Sequence, residues 1–599
     1  MIRIGMIDKG VNLLHPDLNN KNIVCKQIDD RGSISLLEGN SDFIGHGTAI
    51  CGILTQENAA EITVFKVFNS LDEVSEESFI LVLEYLCQNE HFDILNLSLG
   101  ISSVCQYKRL EQICKKISDG GTLIVASFNN YGTVTYPAAF PFVIGVDWDI
   151  ECKKNHDFIY SENGMVNVYG KGMNQKLCWS PSSDYIVNSG ASFATAHITS
   201  HLIPLLETGE VKNCDDAKLF LKKQSIKKVS IYRPPIRQHP DLQGKRVAIF
   251  PFKKELMSVT NYSDLLTCEI THVYDVKPAG NVNKSTLSFS HRKSYSRDYK
   301  IQDFNEIVND KDSIDILVVG HLSEINRLTN HNYTKDCIDF CLIYGITMIS
   351  FDTITDIILN QFEKKNQVCY NMNIDKISFD ISEKLRIIGT PIVTVIGTSS
   401  KQGKFSLQLE LRREFLEKGY SVGQWCTEPQ GYLFGINQVF PAGYGSNINF
   451  SEKEVIHEIN DQLYEIEKLD NDIIIAGLQS HIVCEKLFNT RMYPSLQTAI
   501  LSATQPDALI LVVNAWDADD YVIRTIQFAE SVTNSRVICI VLSFRNVQPS
   551  FSPLEQNIFS LTEKEMTEHT QRISKLTGLS CFDINQVNKI FENIINYLD

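Results

Sequence analysis

Three short segments carry side chains that together could perform acyl transfer. Asp8 closes the apolar run IRIGMI. His46 stands between two glycines in GHGTAICGIL. Ser192 lies in SGASFATAHI, at the start of an apolar helical pattern. Such chemistry needs a nucleophile, a base beside it and a carboxylate that orients the base. A serine at a helix start also gains from the helix dipole, which favours developing negative charge. Taken singly, each residue has a plainer reading. An aspartate after a strand is a turn residue, a GHG is a tight turn, and a serine before a helix is an N-cap.

A second constellation lies far along the chain. The buried-strand pattern PIVTVIG runs into TSSKQGKFS and then the helical pattern LQLELRREFLEKGY. Gly397 and Gly403 permit a tight loop whose backbone N–H groups, including that of Thr398, can face an anion. Lys404 supplies a point charge for phosphate, Ser406 a hydroxyl that could reach Mg²⁺, and the helix start its dipole. The spacing departs from the common phosphate loop: five residues separate the glycines, and Phe405 displaces the hydroxyl by one position.

Positioning these groups requires rigid elements. Short apolar runs alternate with helical segments, which argues for an α/β chain with largely parallel sheets. Strands are expected at 2–7, 62–67, 94–99 and 123–126, then at 246–252, 269–274, 314–319 and 346–351, and finally at 391–397, 472–476, 508–513 and 537–542. The predicted organisation is a catalytic α/β domain over 1–225 and a linker over 226–243 containing Pro234-Pro235. A small Rossmann-like α/β domain over 244–380 and a phosphate-loop domain over 381–599 follow.

Composition bounds the rest. The net charge is −16, which argues against a general nucleic-acid binder. The 16 cysteines form no zinc spacing, so no metal site is assigned and free thiols in a reducing cytoplasm are expected. No apolar run is long enough to span a membrane. Asp8 lies so near Met1 that neither a secretory leader nor a prodomain is expected before it.

The three segments, in the order Asp, His, Ser, resemble those of the subtilisin-like serine proteases. That resemblance implies that Asp8 orients His46, that His46 is the general base and that Ser192 attacks the scissile carbonyl. GTLIVASFNNYG is similar to the family strand ending in the oxyanion-hole asparagine, which implies Asn130 as donor, with the Ser192 N–H beside it. ILNLSLG resembles the substrate-binding edge strand, implying that Ser98, Leu99 and Gly100 pair with an extended peptide. Five matching segments in family order set aside the plainer readings. Ser127, Phe128 and Asn129 stand where the family has small residues lining the pocket for the side chain before the scissile bond. Phe128 and Asn129 are expected to narrow it. Ala49 and Ala196 replace a histidine and a proline common in the family, and neither is a triad member. His15 and His197 are expected to pack.

The second constellation resembles phosphate-loop enzymes related to dethiobiotin synthetase, including a branch with a small Rossmann-like domain before the loop. In that branch QWCTEPQGYLFG would place Glu428 near a metal. Ala476 stands where a glutamate is common, so nucleotide binding is expected ahead of hydrolysis. The expected ligand is ATP or GTP with Mg²⁺, and proteolysis needs no cofactor. The expected function is cytoplasmic endopeptidase cleavage of a dedicated peptide or protein substrate, such as a natural-product precursor leader. The alternative is an ATP-dependent ligase or kinase-like C-terminal half with the protease unit as scaffold. No membrane or nucleic-acid partner is expected, and oligomeric state is not specified by the sequence.

Overall fold

The computed structural model describes residues 1–28, 34–67, 75–180, 184–230, 240–290, 296–372, 384–442, 451–485, 494–543, 545–548 and 557–598. The Pro234-Pro235 linker lies outside them. By its contacts the chain divides into two compact units, Met1–Arg233 with Ser378–Ile387, and Pro234–Ile377 with Ile388–Asp599.

The first unit is built on a ten-stranded sheet. Its strands are β1 (Ile2–Asp8), β2 (Ile23–Ile28), β3 (Ile34–Leu37), β4 (Ala60–Lys66), β5 (Ile94–Leu97), β6 (Leu123–Ser127), β7 (Ile144–Trp148), β8 (Phe158–Glu162) and β9 (Val168–Gly170), closed by a late strand. A hairpin, β10 (Gln175–Cys178) and β11 (Tyr185–Asn188), stands apart, and the late strand is β12 (Lys227–Ser230). The order is β12-β8-β9-β7-β6-β5-β1-β4-β2-β3. The central neighbours β6, β5, β1 and β4 are all parallel, so their carboxyl ends share one edge. Strands of such a sheet are covered on both faces and read as continuous apolar runs. β1 accordingly has an almost wholly buried side-chain set.

Two faces of helices supply the cover. The helices are α1 (His46–Leu54), α2 (Glu76–Asn89), α3 (Tyr107–Asp119), α4 (Ala191–Thr208) and α5 (Cys214–Gln224). α3 buries Leu110, Cys114 and Ile117, spaced four and three apart along one stripe. α2 starts at Ser75, whose hydroxyl accepts the Ser78 N–H, with Glu76 and Glu77 in the first turn. α4 is different: Ala191 and every residue from Phe193 to Thr199 are buried, so it runs through the interior.

β12 corrects the expected boundary at 225. Ile226 N–H donates to the Phe158 carbonyl, and Lys227–Ser230 pair in parallel with β8. The first part of the expected linker is therefore a sheet strand.

The second unit holds two parallel sheets. One has six strands, in the order Ile301–Asp303, Glu269–Asp275, Arg246–Phe250, Ile316–Val319, Thr347–Ser350 and Cys369–Asn371. The other has seven: Gln438–Val439, Val422–Cys426, Ile473–Gly477, Ile392–Gly397, Ala508–Val513, Arg536–Leu542 and Ser580–Asp583. They lie within the expected regions 244–380 and 381–599, but are not separate bodies. Phe405, Leu409, Leu433 and Phe434 of the second region pack in one core with Phe252, Leu256 and Val273 of the first. The boundary expected near 381 also moves, because Ser378–Ile387 groups with the first unit. No disulfide joins any of the cysteines. Among the described residues no helix is long and apolar enough to cross a membrane.

Candidate active site

Asp8 ends β1 and is 1 % exposed. Its carboxylate accepts from His46 Nδ1 at 2.9 and 3.0 Å and from the Lys9 N–H at 2.7 Å. His46 is the first residue of α1. The glycines beside it are required for different reasons. Gly45 has φ 101°, a left-handed conformation that favours glycine. A Cβ on Gly47 would lie 2.0 Å from the Gly10 carbonyl oxygen, so only glycine lets the helix start sit on the turn after β1.

Asp42 fixes this turn. It is fully buried, and its Oδ1 accepts the Ile44 and Gly45 N–H groups while Oδ2 accepts both the N–H and hydroxyl of Thr48. Burial alone would push the His46 pKa down, but the Asp8 charge and hydrogen bond outweigh it, and the imidazole is held above its ordinary 6.5. With Nδ1–H donated to Asp8, Nε2 is left as the basic nitrogen.

Ser192 is the second residue of α4, whose N-cap is Gly190. Its hydroxyl donates to the Ser98 carbonyl at 2.9 Å rather than to His46, and the Ser98 hydroxyl returns a bond to the Ser192 carbonyl at 3.1 Å. The ring of Phe193, the next residue, has its centroid 5.8 Å from that of His46. A chain of buried bonds stands behind Ser98. Asn96 Nδ2 donates to Ser98 Oγ at 2.9 Å, and Thr199 Oγ1 of α4 donates to Asn96 Oδ1 at 2.8 Å. Asn96, fully buried inside β5, was not singled out from the sequence. Its only sequence signal is a polar residue interrupting an apolar strand.

Asn130 follows β6 and is exposed. Its Oδ1 accepts the Ala191 N–H at 3.0 Å. That bond identifies the oxygen end of the amide, because an N–H requires an acceptor. The Nδ2 group can then donate, and it lies 3.6 Å from the position a Cβ on Gly190 would take. The Ser192 N–H is one of the donors a helix start leaves unpaired. The carboxyl ends of β1, β5 and β6 thus carry Asp8, the Ser98–Gly100 segment and Asn130 along one edge, where open parallel sheets place their ligands.

The expected pocket lining needs one correction. Phe128 is 2 % exposed and belongs to the core beneath the sheet, so it does not line a pocket. A Cβ on Gly145 of β7 would lie 2.8 Å from its ring, so that glycine makes room for it. Asn129 instead bonds across the site: Nδ2 donates to Ser102 Oγ at 2.9 Å and to Thr133 Oγ1, and Oδ1 accepts the Tyr131 and Thr133 N–H groups. Thr135 is 1 % exposed, and its Cβ would stand 3.0 Å from a Cβ on Gly100. Leu99 is half-buried.

His15 and His197 are structural. His15 Nε2 meets the Asp184 carbonyl at 2.6 Å and Nδ1 accepts the Asp17 N–H. His197 bonds Gln175 Oε1 at 2.6 Å, and burial pushes its pKa down to about 3.

In the second unit Gly397 ends its strand and Gly403, at φ 87°, precedes the helix Lys404–Glu417. The loop between is tied to itself. Lys404, 6 % exposed, donates Nζ to the Ser399 carbonyl at 2.5 Å. Gln402, 1 % exposed, accepts the Ser399 N–H through Oε1 at 3.0 Å and donates to Thr398 Oγ1 at 2.7 Å. Thr398 Oγ1 in turn donates to Asp517, whose pKa burial raises to about 6. Phe405 turns into the core, its ring 5.6 Å from that of Phe434. Ser406 and Glu428 are half-buried. Asp517 and Gln402 are loop partners the sequence reading did not identify as such.

Residues 1–217 match the profile of the Subtilase family, and residues 382–590 match that of a P-loop domain of unknown function, DUF1611_C. The chain is 26% identical over 220 residues to the major intracellular serine protease of Bacillus subtilis (strain 168), covering 34% of this chain and 67% of that protein. It is 25% identical over 217 residues to subtilisin amylosacchariticus of Bacillus subtilis subsp. amylosacchariticus, covering 33% and 53%. It thus spans about half to two thirds of the length of these relatives. A DUF1611 family protein from Anabaena variabilis ATCC 29413 aligns at 16% identity and TM-score 0.45, over 59% of this chain and 100% of that one. The chain therefore carries a Subtilase-family domain at its N-terminus and a P-loop domain of unknown function at its C-terminus.

Proposed function

We propose that the protein is a serine endopeptidase acting through Asp8, His46 and Ser192, with a nucleotide-binding C-terminal unit. The observation that carries this reading is the two-oxygen contact of buried Asp8 with His46 Nδ1, beside the helix start that holds Ser192. The Ser192 hydroxyl, resting on the Ser98 carbonyl, turns to His46 Nε2 and gives up its proton as Oγ attacks the scissile carbonyl. The oxyanion accepts from Asn130 Nδ2 and the Ser192 N–H. The imidazolium, stabilised by Asp8, returns the proton to the leaving amine. Water then hydrolyses the acyl-Ser192 intermediate by the same route.

Backbone groups of Ser98–Gly100 pair with an extended substrate. In our reading the substrate is a dedicated one, a precursor peptide cleaved in the cytoplasm. In the second unit the loop N–H groups and Lys404 would hold the phosphates of ATP or GTP, and Ser406 an accompanying Mg²⁺. The buried ammonium at a helix start fits an anion of that kind.

A fluorophosphonate probe tests the protease reading. It should label the native chain and fail to label Ser192→Ala, and labelling that persists in the variant overturns the assignment.

A further inference from the structure

The Asn130 loop is held by a piece of chain that comes from beyond the whole Rossmann-like region. Lys384 is 9 % exposed and its Nζ lies 2.5 Å from Asp147 Oδ2 of β7. The same ammonium is 3.4 Å from the Asn129 carbonyl, a contact across 255 positions of sequence, and 5.8 Å from the Phe128 ring centroid. Leu385 adds backbone pairing: its N–H donates to the Gly132 carbonyl at 2.9 Å, and its carbonyl accepts the Val134 N–H at 2.8 Å. It forms a parallel bridge with Thr133.

These contacts are not incidental surface ones. A lysine buried against a buried aspartate is a costly arrangement that persists only when the geometry is well satisfied. Here one charge meets three features of a single region: the acid on β7, a carbonyl of the Asn130 loop and the face of Phe128. The loop is thereby gripped on two sides. Asn129 ties it inward to Ser102, and Lys384 and Leu385 tie it from the other side. Asn130 lies between these attachments, directly after Asn129 and two residues before Gly132.

We propose that Lys384 and Leu385 form a strap that belongs to the protease site, Lys384 being a positioning residue that holds the Asn130 loop where its amide can meet the oxyanion. The proposal rests on the protease reading given above. Oxyanion donors act through preorganised geometry, and a displacement of about 1 Å can cost on the order of 10²-fold in rate. An important part of the first unit's catalytic geometry is thus supplied by chain that leads, after Ile387, into the strand Ile392–Gly397 and the phosphate loop.

The test uses the full chain with Lys384→Met, Lys384→Arg and Leu385→Pro, each with and without Asn130→Ala. Leu385→Pro removes the N–H bonded to Gly132 and leaves no unpaired charge, so it guards against simple misfolding of the charge variant. Hydrolysis of a chromogenic peptide amide and hydrogen exchange at residues 129–136 are measured. Lys384→Met should lower kcat about 10- to 100-fold with KM changed by less than about threefold. Lys384→Arg should recover most of kcat. Exchange at Val134 should quicken in Lys384→Met and Leu385→Pro. In the Asn130→Ala background, Lys384→Met should cost less than about threefold, because the group it positions is already gone. Unchanged exchange, or a loss that multiplies undiminished with that of Asn130→Ala, overturns the strap while leaving the protease reading intact. If hydrolysis by the native chain does not depend on Ser192, the protease reading fails and the strap's catalytic role falls with it.

Discussion

Two helix starts, one in each unit, follow a buried strand or glycine-rich turn and carry a reactive side chain, and they are organised differently. At the start of α4 the donors are turned outward. The Ala191 N–H holds Asn130 by its oxygen, which leaves Nδ2 and the Ser192 N–H to serve an incoming group. At Lys404 the donors are turned inward. The ammonium lies on the Ser399 carbonyl and the Ser399 N–H is taken by Gln402. The difference follows from what braces each site. Asp8 and Asn96 are buried acceptors fixed on strands and Asp42 one in the turn before α1, so the bonds that hold His46 and Ser98 form without any ligand. The phosphate loop is braced by its own side chains together with Asp517 and Tyr521, so an anion bound as proposed would have to displace some of these bonds.

Removing the brace from the first site should have the largest effect. Asp8→Asn is expected to lower kcat on the order of 10⁴-fold, because the charge that stabilises imidazolium is lost and an amide can hold the imidazole in the wrong tautomer. The pH profile sharpens this. His46 works as a base when neutral, so in the native chain activity should rise with pH through a value above 6.5. In Asp8→Asn the residual activity should rise at lower pH, because burial is then opposed only by the weaker pull of Asp42. The same pair stabilises the fold below pH 6.5, and that contribution is lost as pH rises through the raised folded value. A pH limb that does not move between the two chains would show that Asp8 does not set the base.

Next in size is Asn130→Ala, which should cost on the order of 10²–10³-fold in kcat with little change in KM, since the donor is used chiefly by the oxyanion. A rise in KM at constant kcat would instead make Asn130 a substrate-binding group and leave the helix start as the sole oxyanion donor.

How much of this was readable in the sequence depended on range. Asp8, His46 and Ser192 each carry a local signature of a strand end or helix start, and the apolar runs located the four central strands of the first sheet to within a few residues but not its outer six. Asn96 could not be read, because its place between Ser98 and α4 depends on Thr199, 103 positions away. Lys384 is further still from its partners. Phe128 was misread although its face was encoded. Side chains alternate along a strand, so Ile124, Ala126 and Phe128 point together into one core while Leu123 and Val125 enter the other. Residue size alone suggested a narrowed pocket, whereas parity placed the ring beneath the sheet and left Asn129 at the surface of this segment.

The phosphate loop should show smaller effects, of opposite sign at two neighbouring positions. Lys404→Ala should weaken nucleotide binding by roughly 10- to 100-fold, as loss of a buried charge-assisted contact does. Gln402→Ala should strengthen it, by a few-fold. The glutamine amide must leave the Ser399 N–H and Thr398 hydroxyl before phosphate can use the former, and a typical hydrogen bond contributes about 1 kcal/mol net, roughly a fivefold change in affinity. Truncation deletes that competition while leaving the loop backbone and Gly403 in place. Titration of ATP and GTP against the native chain and both variants by calorimetry measures the pair. Weakening by both changes would mean that Gln402 is part of the ligand's own contacts and that the inward donors are already in their working arrangement. The contrast with the outward donors of α4 would then be one of ligand chemistry and not of bracing.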